Sequence, residues 1–151
     1  MEKHILVIDD DVDIVELLKL SLEVKGYRVA TASSAREAQK QLELQPADLI
    51  ITDIFMDDGD GYEVIFKWRR QGKICKLIAI SGGGASNGPE TFLETARLAG
   101  AHRTFIKPFD RNELLRAVDD LLGVPHLRRA ISSRRLPVVS NNSNSEIHNA
   151  T

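Results

Sequence analysis

Several apolar runs in this chain close on a side chain that can do chemistry. Asp9 and Asp10 follow Ile5–Ile8, Asp53 follows Leu49–Ile51 and Thr52, Ser81 follows Lys76–Ile80, and Lys107 follows Thr104–Ile106. Brought to one place, these would be three carboxylates, a hydroxyl and an ammonium. Carboxylates in close company repel, so they must hold protons or share a cation. An all-oxygen acidic pocket suits Mg²⁺, which takes one or two carboxylates and keeps several waters. With that charge balanced, an aspartate can serve as a nucleophile and form an acyl phosphate. Lys107 and Ser81 can then meet the phosphoryl oxygens.

For these residues to meet, the runs that carry them must be parallel strands ending at one edge. The chain alternates two periodicities in the required way. Short β-rich runs at Ile5–Ile8, Arg28–Thr31, Leu49–Ile51, Lys76–Ile80 and Thr104–Ile106 are separated by helical spacings. Ile14, Leu17, Leu18 and Leu22 mark the first helix, and Ala35, Ala38 and Leu42 the second. Val64, Ile65 and Trp68 mark the third, Phe92, Leu93 and Ala96 the fourth, and Leu114, Leu115, Val118, Leu121 and Leu122 the fifth. Asp11 reads as the cap of the first helix. Ser34 with Glu37 and Asp110 with Glu113 have capping-box spacing. Pro89 suits a first helical turn, and Gly26 and Gly100 stand where helices should stop. The result is a (βα)₅ α/β fold, with near-continuous apolar strands in a doubly wound parallel five-stranded sheet covered on both faces. In such a sheet, ligands bind outside the carboxyl ends of the strands.

At 151 residues the chain suits one domain, and 42% hydrophobic with 28% charged residues is an ordinary soluble composition. The net charge of −2 points to no nucleic-acid partner. Charge is uneven, however: residues 1–122 hold 16 Lys+Arg against 21 Asp+Glu, whereas 123–151 hold four arginines against Glu146 alone. That end, first basic and then Asn/Ser-rich, lacks apolar periodicity and reads as a largely disordered tail after a domain at 1–122. It has no recognition-helix pattern. Cys75 is the single cysteine, which excludes an intramolecular disulfide and a Cys-based zinc site, and it reads as a small buried hydrophobe. No apolar run approaches the roughly 18 residues of a membrane span, and a cytoplasmic chain is expected. The four histidines at 4, 102, 126 and 148 show no ligand spacing and read as surface residues.

Four stretches, ILVIDDD at 5–11, DLIITDIFMDDGDG at 48–61, IAISGG at 78–83 and GAHRTFIKPF at 100–109, make the chain resemble the receiver domain of two-component response regulators. The likeness extends from residue 3 to about 122. It implies the flavodoxin-like receiver fold and a stand-alone receiver. Asp53 would be the phosphoacceptor, with Asp9 and Asp10 in a Mg²⁺ pocket completed by Asp53 and the Phe55 backbone carbonyl. Lys107 would be the lysine ahead of a cis-linked Pro108, and Ser81 the hydroxyl switch. It further implies a histidine kinase or phosphotransfer protein as phosphoryl donor and output through an unknown protein target. Such a protein is not an enzyme beyond its own phosphoryl transfer and dephosphorylation. A degenerate receiver, acting as a phosphorylation-independent interaction module, is the alternative.

Departures from the family pattern are specific. Asp57 replaces the usual proline four residues after the phosphoacceptor, and Thr104 replaces the usual aromatic, while Phe105 should point to the other side of its strand. Ser81 is followed by three glycines, which loosen the backbone there. Asp57, Asp58 and Asp60, with Gly59 and Gly61, read as loop residues. Other chemistries fit poorly. An aspartyl phosphatase wants a second acid where Phe55 stands, a calcium loop fails on register, and a phosphate loop would need lysine where Pro89 stands.

Overall fold

The computed structural model describes residues 2–56, 61–72, 75–82 and 88–124. Ten elements alternate along it. They are β1 (His4–Ile8), α1 (Val12–Val24), β2 (Arg28–Ala32), α2 (Ala35–Leu44), β3 (Leu49–Asp53), α3 (Gly61–Arg70), β4 (Lys76–Ser81), α4 (Gly88–Leu98), β5 (Arg103–Ile106) and α5 (Arg111–Leu122). The strands form one parallel sheet in the order β2-β1-β3-β4-β5, the flavodoxin-like order. Strand order reverses between β1 and β3, where Ile8 pairs with Thr52. Asp9 and Asp53, one residue further on, therefore leave the sheet side by side.

Period-two alternation divides the core. Ile5 and Val7 of β1, Leu49 and Ile51 of β3, and Ile78 and Ile80 of β4 pack with Leu18 and Leu22 of α1 and Leu114 and Val118 of α5. The residues between them, Leu6, Ile8, Ile50 and Leu77, face Ala38 and Leu42 of α2 and Ile65 and Trp68 of α3. Ile54 and Ala79 complete that second face against Phe92 and Ala96 of α4. Fully burying one such Leu or Ile is worth about 1.5–3 kcal/mol, so this two-sided core is the main source of stability.

The helix ends follow local chemistry, with one shift. Asp11 caps α1, its carboxylate accepting from the Asp13 and Ile14 N–H groups. Asp110 does the same for α5 through Asn112 and Glu113. Ser34 caps α2 by accepting from the Glu37 N–H, but the returning Glu37 carboxylate takes the N–H and hydroxyl of Ser33, one residue earlier than the capping box predicts. Gly100 ends α4 with φ +79, and the Arg69 guanidinium fills the space a Cβ would occupy.

Burial adds detail to the helix stripes and corrects one histidine. Leu17 and Leu93 are exposed, because the apolar stripes of α1 and α4 are wider than the faces that touch the sheet. His4 is buried rather than on the surface: it opens β1 and its N–H donates to the Asp48 carboxylate at 2.8 Å. His102 is exposed, yet its Nδ1 accepts from the Leu77 N–H at 3.0 Å. Cys75 is half-buried, and burial pushes its thiol pKa up, consistent with an unreactive packing role. His126, His148, the tail from Pro125 onward, the acids at 57, 58 and 60, and the glycines at 83 and 84 lie outside the described residues.

Candidate functional site

Asp9, Asp10, Asp53, Ser81 and Lys107 all lie at the carboxyl edge of the sheet, as the strand ends predict. β3 runs two residues further than the apolar pattern alone indicates, to Asp53, and β4 runs to Ser81. The backbone aligns this edge tightly. Ile54 N–H donates to the Ile80 carbonyl at 3.0 Å, and Lys107 N–H to the Ser81 carbonyl at 2.8 Å. Asp9 is tied to β2 by its N–H on the Ala32 carbonyl. The Lys107–Pro108 peptide is cis, as the resemblance implies.

The side chains meet around one ammonium. Lys107 Nζ stands 2.8 Å from Asp9 Oδ2 and 3.2 Å from Asp53 Oδ2. The other Asp53 oxygen, Oδ1, accepts the Phe55 N–H at 2.9 Å, a donor that sequence reasoning did not supply because it considered only the Phe55 carbonyl. Asp9 Oδ1 accepts the Asp11 N–H at 2.9 Å. Asp9 and Asp53 are 1% and 4% exposed, whereas Asp10 is open to solvent. Ser81 is buried, and its hydroxyl donates to its neighbour's carbonyl at Gly82.

Charge is poorly balanced here. Burial raises the Asp9 pKa, Lys107 and the Asp11 N–H oppose the rise, and Asp10 adds to it. Burial also raises the Asp53 pKa; Lys107 counters this and Asp9 reinforces it. Burial alone would lower the Lys107 pKa, but the two carboxylates outweigh it and raise the value, so the ammonium stays charged. One cation thus serves two buried acids. An oxygen from each of Asp9, Asp10 and Asp53 lies within 4.8 Å of the others. Asp9 Oδ2 has the Lys107 ammonium at 2.8 Å as its partner, the same ammonium that Asp53 Oδ2 uses. Three converging carboxylates, two of them buried around a single ammonium, form a donor set suited to a hard, oxygen-seeking divalent cation.

Phe55 is half-buried and packs on Ile54, Phe92 and the rest of the α4 cluster. Thr104 pairs with Ala79, which puts it on the α4 face, and it is exposed. Phe105 lies on the opposite face, as alternation requires, edge-on to Phe109 with ring centroids 6.1 Å apart.

Residues 5–119 match the model of the response regulator receiver domain. The chain belongs to that family. It is 32% identical over 119 residues to the transcriptional regulatory protein GlrR of Escherichia coli K12, and 35% identical over 122 residues to the alkaline phosphatase synthesis transcriptional regulatory protein PhoP of Bacillus subtilis. Those alignments cover 79% and 81% of this chain but only 26% and 49% of the two relatives, so the likeness is to a part of each. Among solved structures, the Vibrio cholerae chemotaxis protein CheY4 superposes with a TM-score of 0.70 at 27% identity, covering 80% of this chain and 99% of that one. The N-terminal domain of a Wolinella succinogenes protein gives 0.73 at 27% identity, covering 82% and 96%. This receiver has no helix among its described residues long and apolar enough to cross a membrane.

Proposed function

We propose that this chain is a phosphorylatable, cytoplasmic receiver that takes a phosphoryl group onto Asp53 from a histidine kinase or phosphotransfer protein and signals through protein contacts. The observation that carries this reading is the single Lys107 ammonium, 2.8 and 3.2 Å from two buried carboxylates at the point where strand order reverses. A merely structural lysine would neutralise one acid. Here the second acid is left as an electron-rich oxygen beside a cation.

Asp9, Asp10, Asp53 and the Phe55 carbonyl would hold Mg²⁺, which when bound supplies the positive charge that lets carboxylates and phosphoryl oxygens share the pocket. An Asp53 oxygen attacks phosphorus, the phosphorus–nitrogen bond of the donor phosphohistidine breaks, and its electron pair stays on the imidazole. The Phe55 N–H holds the other Asp53 oxygen and fixes the carboxylate plane. Lys107 is placed to pair with a phosphoryl oxygen in place of Asp53 Oδ2. Ser81 can turn its hydroxyl from the Gly82 carbonyl to the new acceptor, which links the chemistry to the start of the β4–α4 segment. The segment from about residue 126 onward, which lacks apolar periodicity in the sequence, is proposed to be dispensable for the fold and for phosphorylation.

The test is to incubate the full chain with acetyl phosphate and Mg²⁺ and weigh it intact. A gain of one phosphoryl group is expected, lost in Asp53→Asn and with EDTA. Labelling that survives either change would overturn the assignment, and no labelling at all would favour the degenerate module.

A further inference from the structure

The opposite edge of the sheet carries a second feature that phosphoryl transfer does not use. A cavity of about 580 Å³ opens there, within the usual size range of small-ligand pockets. It is lined from the starts of four strands. Lys3 precedes β1, Asp48 precedes β3, Cys75 precedes and Lys76 begins β4, and His102 precedes β5. Arg69, from the end of α3, forms one wall. The apolar part comes from Leu121 and Leu122, the last residues of α5.

Its electrostatics have a definite sign. Three cations, Lys3, Arg69 and Lys76, face one carboxylate, Asp48, which already accepts the His4 N–H at 2.8 Å. Arg69 is held rather than waving free, its guanidinium donating to the Gly100 carbonyl at 3.2 Å. His102 is oriented too. Its Nδ1 accepts the Leu77 N–H, so its neutral ring carries its proton on Nε2 and can donate only from there. Partial burial, with Lys76 and Arg69 nearby, lowers its pKa, and both cations line the same cavity as the ring.

We propose that this cavity binds a small amphipathic anion: an organic carboxylate, sulfonate or phosphate carrying an apolar group. The anionic head is met by Lys76, Lys3 and the His102 Nε2–H, and the apolar body rests on Leu121, Leu122 and Cys75. Neither half suffices alone. Exposed lysines hold a bare ion weakly, and a neutral apolar molecule gains nothing from the cations. The proposal goes beyond the phosphoryl-transfer reading and stands or falls without it.

The experiment is a ¹⁵N NMR titration of the full chain with naphthalene-1-sulfonate, which cannot donate a phosphoryl group. Sulfate and naphthalene-1-methanol serve as the head-only and body-only arms. Saturable shifts are expected at Gly72, Cys75, Lys76, Gly100, His102, Leu121 and Leu122, with affinity at least tenfold weaker in either control arm. Lys76→Glu and Lys3→Glu should each weaken the sulfonate at least tenfold, whereas Lys40→Glu on exposed α2 surface should not. Unsaturable or scattered shifts, sulfate binding as well as the sulfonate, or charge reversals without effect would each overturn the proposal. Well-dispersed spectra for both lysine variants separate lost binding from lost fold.

Discussion

Two clusters of buried carboxylate chemistry sit in this one small domain, and they are built on opposite terms. Asp119 on α5 is 3% exposed, and both of its oxygens are answered: Oδ1 takes the Tyr27 hydroxyl at 2.6 Å, and Oδ2 pairs with Lys25 at 2.7 Å. One acid, one cation and one hydroxyl close the account, and the Tyr27 pKa rises well above its usual value through burial and the neighbouring carboxylate. Asp9 and Asp53 share one lysine between them. The satisfied cluster ties α5 to the turn after α1. The cation-poor one is held in place by the sheet. A buried carboxylate with a cation and a hydroxyl of its own is a clamp; two that must divide one cation are a candidate site.

The largest contrast should come from removing one charge in each cluster. Asp119→Asn leaves Lys25 without its partner, and unfolding in urea should show a loss of about 1–3 kcal/mol, less than breaking a fully buried pair costs because Lys25 is partly exposed. Asp53→Asn should do the reverse and stabilise the metal-free protein by about 1 kcal/mol, since it relieves a carboxylate that burial penalises. Loss in both variants would erase the distinction.

Divalent cation should separate the clusters next. Mg²⁺ at ten times its dissociation constant should stabilise the protein by about 1.4 kcal/mol through mass action. Thermal melts should show that gain intact in Asp119→Asn and absent in Asp10→Ala. A gain that survives Asp10→Ala would place the cation elsewhere.

A smaller effect lies in pH. Folding raises the Asp9 and Asp53 pKa values above the ordinary 3.8, so between the unfolded and folded values the native state holds more protons. Their contribution is full below the unfolded value and falls as pH rises through the folded ones. In EDTA, the stability gap between Asp9→Asn/Asp53→Asn and the parent should therefore widen from pH 4 to pH 7. Lys107 runs later: its contribution is complete below 10.5 and is lost only as pH rises through its raised value. A constant gap from pH 4 to 7 would deny that the pair is strained by burial. The smallest effect belongs to Thr104→Ala. Thr104 is exposed and belongs to neither cluster, so its removal should change stability by less than about 0.5 kcal/mol in the same urea assay.

The site cluster was legible in the sequence and the clamp was not, for a physical reason. Asp9, Asp53, Ser81 and Lys107 each follow an apolar run, so finding the strands finds their ends, and a parallel sheet brings those ends together. Tyr27 and Asp119 lie 92 residues apart with no periodic mark, and only the packing of α5 against α1 introduces them. His4 escaped in the same way, because no spacing announces that it opens a strand buried along its whole length. Leu17 and Leu93 fall in the helices their spacing marks, yet both are exposed, because periodicity gives the apolar stripe of a helix but not how much of it the sheet covers. The shifted capping arm of Glu37 is a one-residue choice between two serines, Ser33 and Ser34, of equal chemistry.

Lys107 has one further consequence. Its backbone N–H is bonded to the Ser81 carbonyl beside the β4–β5 ladder, while its ammonium reaches residues that follow β1 and close β3. One residue is thus both a rung and a probe, and the position of its charge is geared to the alignment of the sheet's edge strand. Sliding β5 by a single residue would carry that charge by roughly 3.3 Å, enough to break either ion pair. Any contact that shifts β5 would therefore also shift the charge beside Asp9 and Asp53.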